Sequence, residues 1–348
     1  MNDIKKFLDA LIANNGSDLH LSAGDSPLIR IAGELIPLTN FDAPSNNDIL
    51  AILKEMLGEK MLQSFIDNQE KDFAYNYEDH RLRGNAFIQR GQYAVSLRLV
   101  PKARNLKELS LPSILEDFAM ARQGFFLVVG PVGQGKTTTL TSMIEIINEK
   151  RSAHIITIED PAEYVFKNKK SLIHQREVGI DTKDFDTALK SVFREDVNVI
   201  LVGEMRSHET MSTAVTAAET GHLVLSTLHT NNAAQSIDRI IDSFPANQQD
   251  QIRSQLASTL LGIFSQRLIP KIGGGRVPAY ELLINNSAVA NLIREKRTHE
   301  LNIVIETSLE QGMVDLNRSL IELIKTGQIT LDNAILYSNN LKALQQML

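Results

Sequence analysis

The chain has 348 residues, of which 43% are hydrophobic, a formal net charge of −6 and an isoelectric point near 5.8. That length is a prior for two or three domains with substantial cores, and the acidic balance with only 5% aromatic residues argues against a dedicated nucleic-acid binder. Cysteine is absent, which removes disulfides, thiolate zinc sites and thiol catalysis.

The first residues, Met1-Asn2-Asp3-Ile4-Lys5-Lys6, open an amphipathic helix pattern rather than a signal peptide, and no apolar run approaches the roughly 20 residues that span a bilayer. The protein is therefore expected in the cytoplasm without direct membrane insertion, meeting a membrane only through a partner. Ile4, Leu8, Leu11 and Ile12 mark one helical face, and Asp18 to Ser22 alternates like a strand. Pro27 to Leu38 reads as a strand pair turning near Gly33, followed by a helix from about Asn47 to Ile66. Phe73 to Val100 alternates apolar and polar residues, with breaks near Asp79 and Gly91, as antiparallel strands do. Residues 1–100 thus read as a small α+β domain, and 101–113 as a charged linker.

From Leu115 onward helical and strand patterns alternate: a helix to Gln123, strand 125–129, helix 137–150, strand 154–158, helix 184–194, strand 198–202, helix 205–220 and strand 223–227. Such alternation predicts an α/β core over 114–284, built on a mostly parallel sheet that binds ligands at the carboxyl ends of its strands. Residues 285–348 read as a helical C-terminal region able to form a third, small domain.

One stretch carries most of the functional information. Gly130-Pro131-Val132-Gly133-Gln134-Gly135-Lys136-Thr137 fits the phosphate-loop pattern G-x-x-x-x-G-K-[ST] at every fixed position. Glycines let backbone N–H groups turn inward toward the phosphates, Lys136 adds positive charge, the Thr137 hydroxyl can ligate Mg²⁺, and Thr138 continues the contact surface. The apolar run Phe125 to Val129 precedes the loop, and Leu140, Met143, Ile144 and Ile147 follow it at helical spacing. Strand, glycine loop and helix is the required context, so a mere turn between two core elements is the weaker reading. The pattern predicts binding of a nucleoside triphosphate with Mg²⁺.

Strand 154–158 leads into Glu159-Asp160-Pro161-Ala162-Glu163, an acidic cluster beside a nucleotide site, and Glu163 is the expected general base that orients the attacking water. Alone, such a turn is more often a solvated loop. Strand 198–202 ends in Gly203-Glu204, where Glu204 is placed near the metal; a glycine stands before it instead of a metal-holding aspartate, so Glu204 would act through water. The bland alternative makes Glu204 a cap of the helix near Ser207. His222 and His229 bracket a strand about 20 Å long, too far apart to share one ion, and are read as coupling the nucleotide site to motion.

With these segments placed, the chain resembles the PilT-like branch of the secretion ATPase superfamily, the hexameric motors that retract type IV pili. The resemblance rests on Ser17-Asp18-Leu19-His20-Leu21-Ser22, the phosphate loop, IEDPAE at 158–163, LVGEMR at 201–206 and TGHLVLSTLHT at 220–230. It implies a PAS-like N-terminal domain, then a RecA-like domain, with ATP bound between them and against a neighbouring subunit. It makes Lys136 and Thr137 the phosphate and Mg²⁺ residues, Glu163 the catalytic carboxylate, Glu204 the Walker B-type glutamate, and His222 and His229 the histidine box. Nucleotide-contacting arginines of the N-terminal domain would be drawn from Arg81, Arg83 and Arg98, for which surface solvation is the plain alternative.

The resemblance further implies a homohexamer at the inner face of the cytoplasmic membrane, passing force to an inner-membrane pilus platform protein in twitching motility. Pilus-assembly relatives differ by a longer N-terminal region and a four-cysteine zinc loop. This chain has neither, which favours retraction, and two departures leave open an accessory retraction paralogue that depends on a second retraction ATPase: Ala290 stands where similar motors usually carry arginine, and Val197-Asn198 replaces the common Pro-Asp. A poorly hydrolysing nucleotide-binding scaffold is the alternative from another class.

Overall fold

A computed structural model describes residues 4–31, 33–78, 80–100 and 103–348. The chain divides into two compact units, Met1–Lys102 and Ala103–Leu348. The anticipated break at Asp79 lies outside the described residues, as do Met1 to Asp3, Pro101 and Lys102.

The described part of the first unit carries one antiparallel sheet in the order β3-β2-β1-β6-β5-β4. Its strands are β1 (Asp18–Ser22), β2 (Leu28–Ile31), β3 (Glu34–Pro37), β4 (Glu70–Tyr77), β5 (His80–Gln89) and β6 (Gln92–Leu99). Helix α1 (Ile4–Ala13) buries Ile4, Phe7, Leu8 and Leu11, one face at helical spacing, against Leu19, Leu21 and Leu97 of the sheet. Helix α2 (Asn46–Asn68) starts at a capping box: the Ser45 hydroxyl accepts the Asp48 N–H, while the Asp48 carboxylate accepts the Ser45 N–H at 2.9 Å. Gly58, at φ 65°, kinks that helix midway.

The second unit is built on a sheet in the order β13-β12-β7-β11-β10-β8-β9, parallel throughout except for the antiparallel β12–β13 pair. These strands are β7 (Gly124–Val129), β8 (His154–Glu159), β9 (Leu172–Glu177), β10 (Val199–Val202), β11 (Leu223–Leu228), β12 (Leu260–Pro270) and β13 (Arg276–Ile284). Between them run α3 (Ile114–Met120), α4 (Lys136–Lys150), α5 (Phe185–Val192), α6 (His208–Glu219), α7 (Ala233–Asp242) and α8 (Gln249–Thr259). The chain ends with α9 (Ser287–Arg294), α10 (Leu301–Thr307), α11 (Leu316–Lys325), α12 (Leu331–Tyr337) and α13 (Leu341–Met347).

Strands β7, β10 and β11 are buried at every position, as expected when helices cover both faces of a parallel sheet. Alternation in β7 makes the two cores: Phe126 and Val128 pack with Leu140, Met143 and Ile144 of α4, whereas Phe125, Leu127 and Val129 pack with Met211, Ala214 and Val215 of α6.

Two boundary expectations need correction. Within the span read as linker, Leu106 and Leu111 are buried with Leu115, Phe118 and Phe126, so the chain from Ala103 is part of the second unit. The helical tail forms no unit of its own: Leu316, Leu320 and Leu323 of α11 pack on Ile269, Val277 and Ala279 of the β12–β13 hairpin. Periodicity shows that a helix has an apolar face but not which surface that face covers. Replacing Leu320 with alanine is expected to cost about 2–5 kcal/mol. Urea unfolding followed by hydrogen exchange should show the tail and β12–β13 opening together; a tail that melts alone would contradict this packing.

Candidate active site

Strands β7, β11, β10 and β8 are parallel neighbours, so their carboxyl ends bring the Gly130 to Thr138 loop, His229, Glu204 and Glu163 to one edge of the sheet. They line a cleft of about 890 Å³. After Val129 the chain turns through Gly130, Gly133 and Gly135, at φ 146°, 76° and 80°, backbone that side-chain-bearing residues rarely adopt. At Gly130 the constraint is also steric, since an added Cβ would lie 2.5 Å from the Gln266 carbonyl oxygen. Helix α4 then begins at Lys136, its 15 residues directing their N-terminal dipole and open N–H groups at the cleft.

Lys136 is 93% buried by its 7% residual exposure, and its ammonium donates to the Gly130 carbonyl at 2.9 Å and the Pro131 carbonyl at 3.0 Å. Its Nζ also lies 3.3 Å from His229 Nδ1, and His229 Nε2 lies 3.6 Å from a Glu204 carboxylate oxygen. An ammonium has only donors, so Nδ1 accepts and the imidazole proton sits on Nε2, toward Glu204. Burial pulls the Lys136 pKa down from 10.5 to about 8, opposed by the nearby Glu204 and Glu163 carboxylates. Burial and the Lys136 cation likewise hold His229 below its ordinary value, which keeps the ring neutral at physiological pH.

The acidic residues occupy different environments. Glu159 is 5% exposed; burial raises its pKa, while hydrogen bonds from Thr157 Oγ1 at 2.6 Å and Gln175 Nε2 at 3.3 Å oppose that rise. Glu163 is half-buried at the cleft, followed by Tyr164, whose hydroxyl is 2.9 Å from the Thr138 hydroxyl. Glu204 pairs with Arg206 and lines the cleft. It does not cap the next helix: Ser207 does, accepting the Thr210 N–H at 3.1 Å.

Of the remaining sequence candidates, Thr137 and Val132 line the cleft, and Val132 is exposed at the loop's tip. His222 lies at the opposite end of β11 from His229, its Nδ1 3.0 Å from the Ala217 carbonyl and its ring edge-on to Phe193. Arg81 and Arg83 lie on β5 and Arg98 on β6 of the first unit, where Arg98 donates to Asp18 at 2.7 Å. Gln266, not singled out from sequence, lines the cleft: it accepts from the Thr139 hydroxyl and donates to the Gln134 carbonyl, both at 2.7 Å. The signal available was Ser265-Gln266-Arg267, three polar residues interrupting an otherwise apolar strand.

The family model for type II/IV secretion system proteins matches residues 1–335. The chain belongs to the type II/IV secretion ATPase family. Within that family it is 42% identical over 334 residues to the type IV pilus retraction ATPase PilT of Pseudomonas aeruginosa, covering 95% of this chain and 97% of that protein. It is 38% identical over 349 residues to the type IV pilus ATPase PilU of the same organism, covering 99% of this chain and 91% of that protein. A crystal structure of the pilus retraction motor PilT with bound ADP matches it with a TM-score of 0.93 at 45% identity, covering 100% of both chains. This secretion ATPase therefore shares its fold with an ADP-bound relative, and the cleft at Lys136 carries the phosphate-loop sequence pattern.

A cation at Lys136 favours bound phosphate, and its pKa near 8 lies within reach of experiment. Binding selects the protonated lysine, so ADP affinity is expected to fall as pH rises through about 8, by up to about tenfold per pH unit above it. Calorimetry in two buffers at pH 8.5 should also record proton uptake on binding; a flat affinity from pH 7 to 9.5 would contradict the assignment.

Proposed function

We propose that this secretion ATPase is a Mg²⁺-dependent, homohexameric ring motor that powers type IV pilus retraction. The observation that carries the reading is the contact chain from Lys136 through His229 to Glu204, with Glu163 facing the same cleft. It joins a phosphate-binding cation, a neutral imidazole and two carboxylates at the carboxyl edge of one sheet.

The residues fit ATP with a divalent cation. Among the described residues no group of three or more His, Asp or Glu side chains is set to hold a metal alone, which suits Mg²⁺, an ion held by few protein ligands and by the phosphates themselves. Thr137 and Glu204 would hold it, the latter through water, and bound Mg²⁺ would neutralise charge developing on the phosphates. Lys136 binds the β- and γ-phosphates, Glu163 orients the attacking water and takes its proton, and His229 reports phosphate occupancy to Glu204. In this reading the first unit is PAS-like and the second RecA-like, and Arg81, Arg83 or Arg98 supplies a nucleotide-contacting guanidinium. His222, at the far end of β11, couples the cleft to motion. The ring works in the cytoplasm against an inner-membrane platform protein, with no helix of the described residues long and apolar enough to cross a membrane.

A second reading makes the chain an accessory retraction motor. It rests on Ala290, which is 8% exposed on α9 within the core, where similar motors usually carry arginine.

Glu163→Gln is expected to lower steady-state ATP turnover by at least about a hundredfold while leaving ADP binding within twofold. Lys136→Ala should lose both. Turnover by a hexamer, with oligomer mass recorded in the same samples, supports the motor reading; oligomers with negligible turnover in wild type and variant alike would favour the accessory one.

A further inference from the structure

Strand β12 runs beside β7, the strand that feeds the phosphate loop, and its residues alternate between the two cores of the second unit. Phe264 packs with Leu140 and Met143 on the α4 side, and Ile263 packs with Ile237 and Ile240 of α7 on the other. The same alternation continues into the polar residues that follow.

On the α4 side, Gln266 is 3% exposed and both ends of its amide are spent on protein: Oε1 accepts from Thr139, and Nε2 donates to the Gln134 carbonyl. Two residues further on the strand, the Leu268 N–H donates to the Gln134 side-chain oxygen at 2.6 Å. The phosphate loop and the first turn of α4 are thus bound to β12 by three hydrogen bonds, two at Gln134 and one at Thr139.

On the α7 side, Ser265 Oγ donates to the Asn231 carbonyl at 2.9 Å, and Arg267 Nη2 donates to the Asn231 carbonyl and side-chain oxygens at 3.0 and 3.1 Å. Glu281, paired across the hairpin with Ser265, accepts the Ala233 N–H at 2.8 Å in the first turn of α7. Arg267 and Glu281 are 8% and 7% exposed, and burial raises the Glu281 pKa to about 7, opposed by the Ala233 N–H and the Arg267 cation. Asn231 lies two residues beyond His229.

Both loops whose meeting point is Lys136 Nζ and His229 Nδ1, 3.3 Å apart, therefore hang from opposite faces of one strand. We infer that β12 is a strut setting the spacing of the two halves of the phosphate site, with Gln266 positioning the phosphate loop and Arg267 positioning His229. Neither residue needs to touch the nucleotide. The inference rests on the reading of this cleft as the site of ATP turnover, and it separates two effects that a general loss of packing would merge.

Arg267→Lys keeps a positive charge near Glu281 but gives up the planar fork that reads both Asn231 oxygens. It is expected to lower kcat about tenfold or more with KM and the ADP Kd within twofold, and to shift the His229 ring resonances in NMR spectra at fixed pH as the Lys136 contact loosens. Gln266→Leu, of similar volume, is expected to raise the ADP Kd about tenfold with kcat at saturation within threefold. Wild-type kcat and unmoved His229 ring resonances in Arg267→Lys would overturn the inference. So would kcat and Kd changing together in both variants in step with melting temperature. A wild-type protein that binds ADP without turnover would sink the motor reading instead, and the His229 resonances and the Gln266→Leu affinity would still decide the strut.

Discussion

A lysine ammonium taken out of water is the constraint around which the second unit is arranged. Burying such a charge without partners costs several kcal/mol. Lys136 has three hydrogens to donate, and the Gly130 carbonyl, the Pro131 carbonyl and His229 Nδ1 receive them. Two of those partners exist only because the loop curls tightly, which the left-handed glycines permit. The third exists only because β11 lies next to β7 and ends at the same level. Bound phosphate oxygens would take over these donors, so ligand binding exchanges partners for a charge already desolvated.

The parallel sheet then sorts carboxylates by depth. Glu159 ends β8 inside the protein, bonded by Thr157 and Gln175, and burial favours its protonated form. Glu163 lies four residues on, half-buried at the cleft, while Glu204 ends the neighbouring strand beside His229 and Arg206. Three acidic residues within one pocket thus have distinct environments, which is how one site assigns distinct roles to chemically similar groups. Glu159 suits anchoring of the acidic turn, and Glu163, with open access to the cleft, suits proton transfer.

Much of this was legible in the chain itself. The phosphate loop announces its strand, turn and helix because backbone geometry, rather than tertiary context, dictates its glycines, and the buried strands β7, β10 and β11 read as continuous apolar runs. Strand β9, Leu172 to Glu177, was missed: it lies at the sheet edge with a mixed burial pattern and so lacks both the apolar run and clean alternation. The segment from Leu106 to Leu111 passed for linker because its two buried leucines follow neither period. Gln266 and Arg267 were illegible for a different reason. Their importance comes from partners 127 to 132 residues away for Gln266 and 36 for Arg267, and a polar residue in a strand carries no mark of what it will meet.

The two histidines show how topology decides what residue type leaves open. His222 and His229 stand at opposite ends of the same buried strand. In a parallel sheet only the carboxyl end faces the ligand crevice. His229 is on that end, and its ring meets Lys136 and Glu204. His222 is on the other, where Nδ1 meets the last turn of α6 and the ring packs on Phe193. Any effect of His222 on the cleft would have to travel through what it touches: β11, the last turn of α6 and Phe193. His229 needs no such lever: it already touches Lys136, so a change in what Lys136 donates to changes what His229 can accept in the same step.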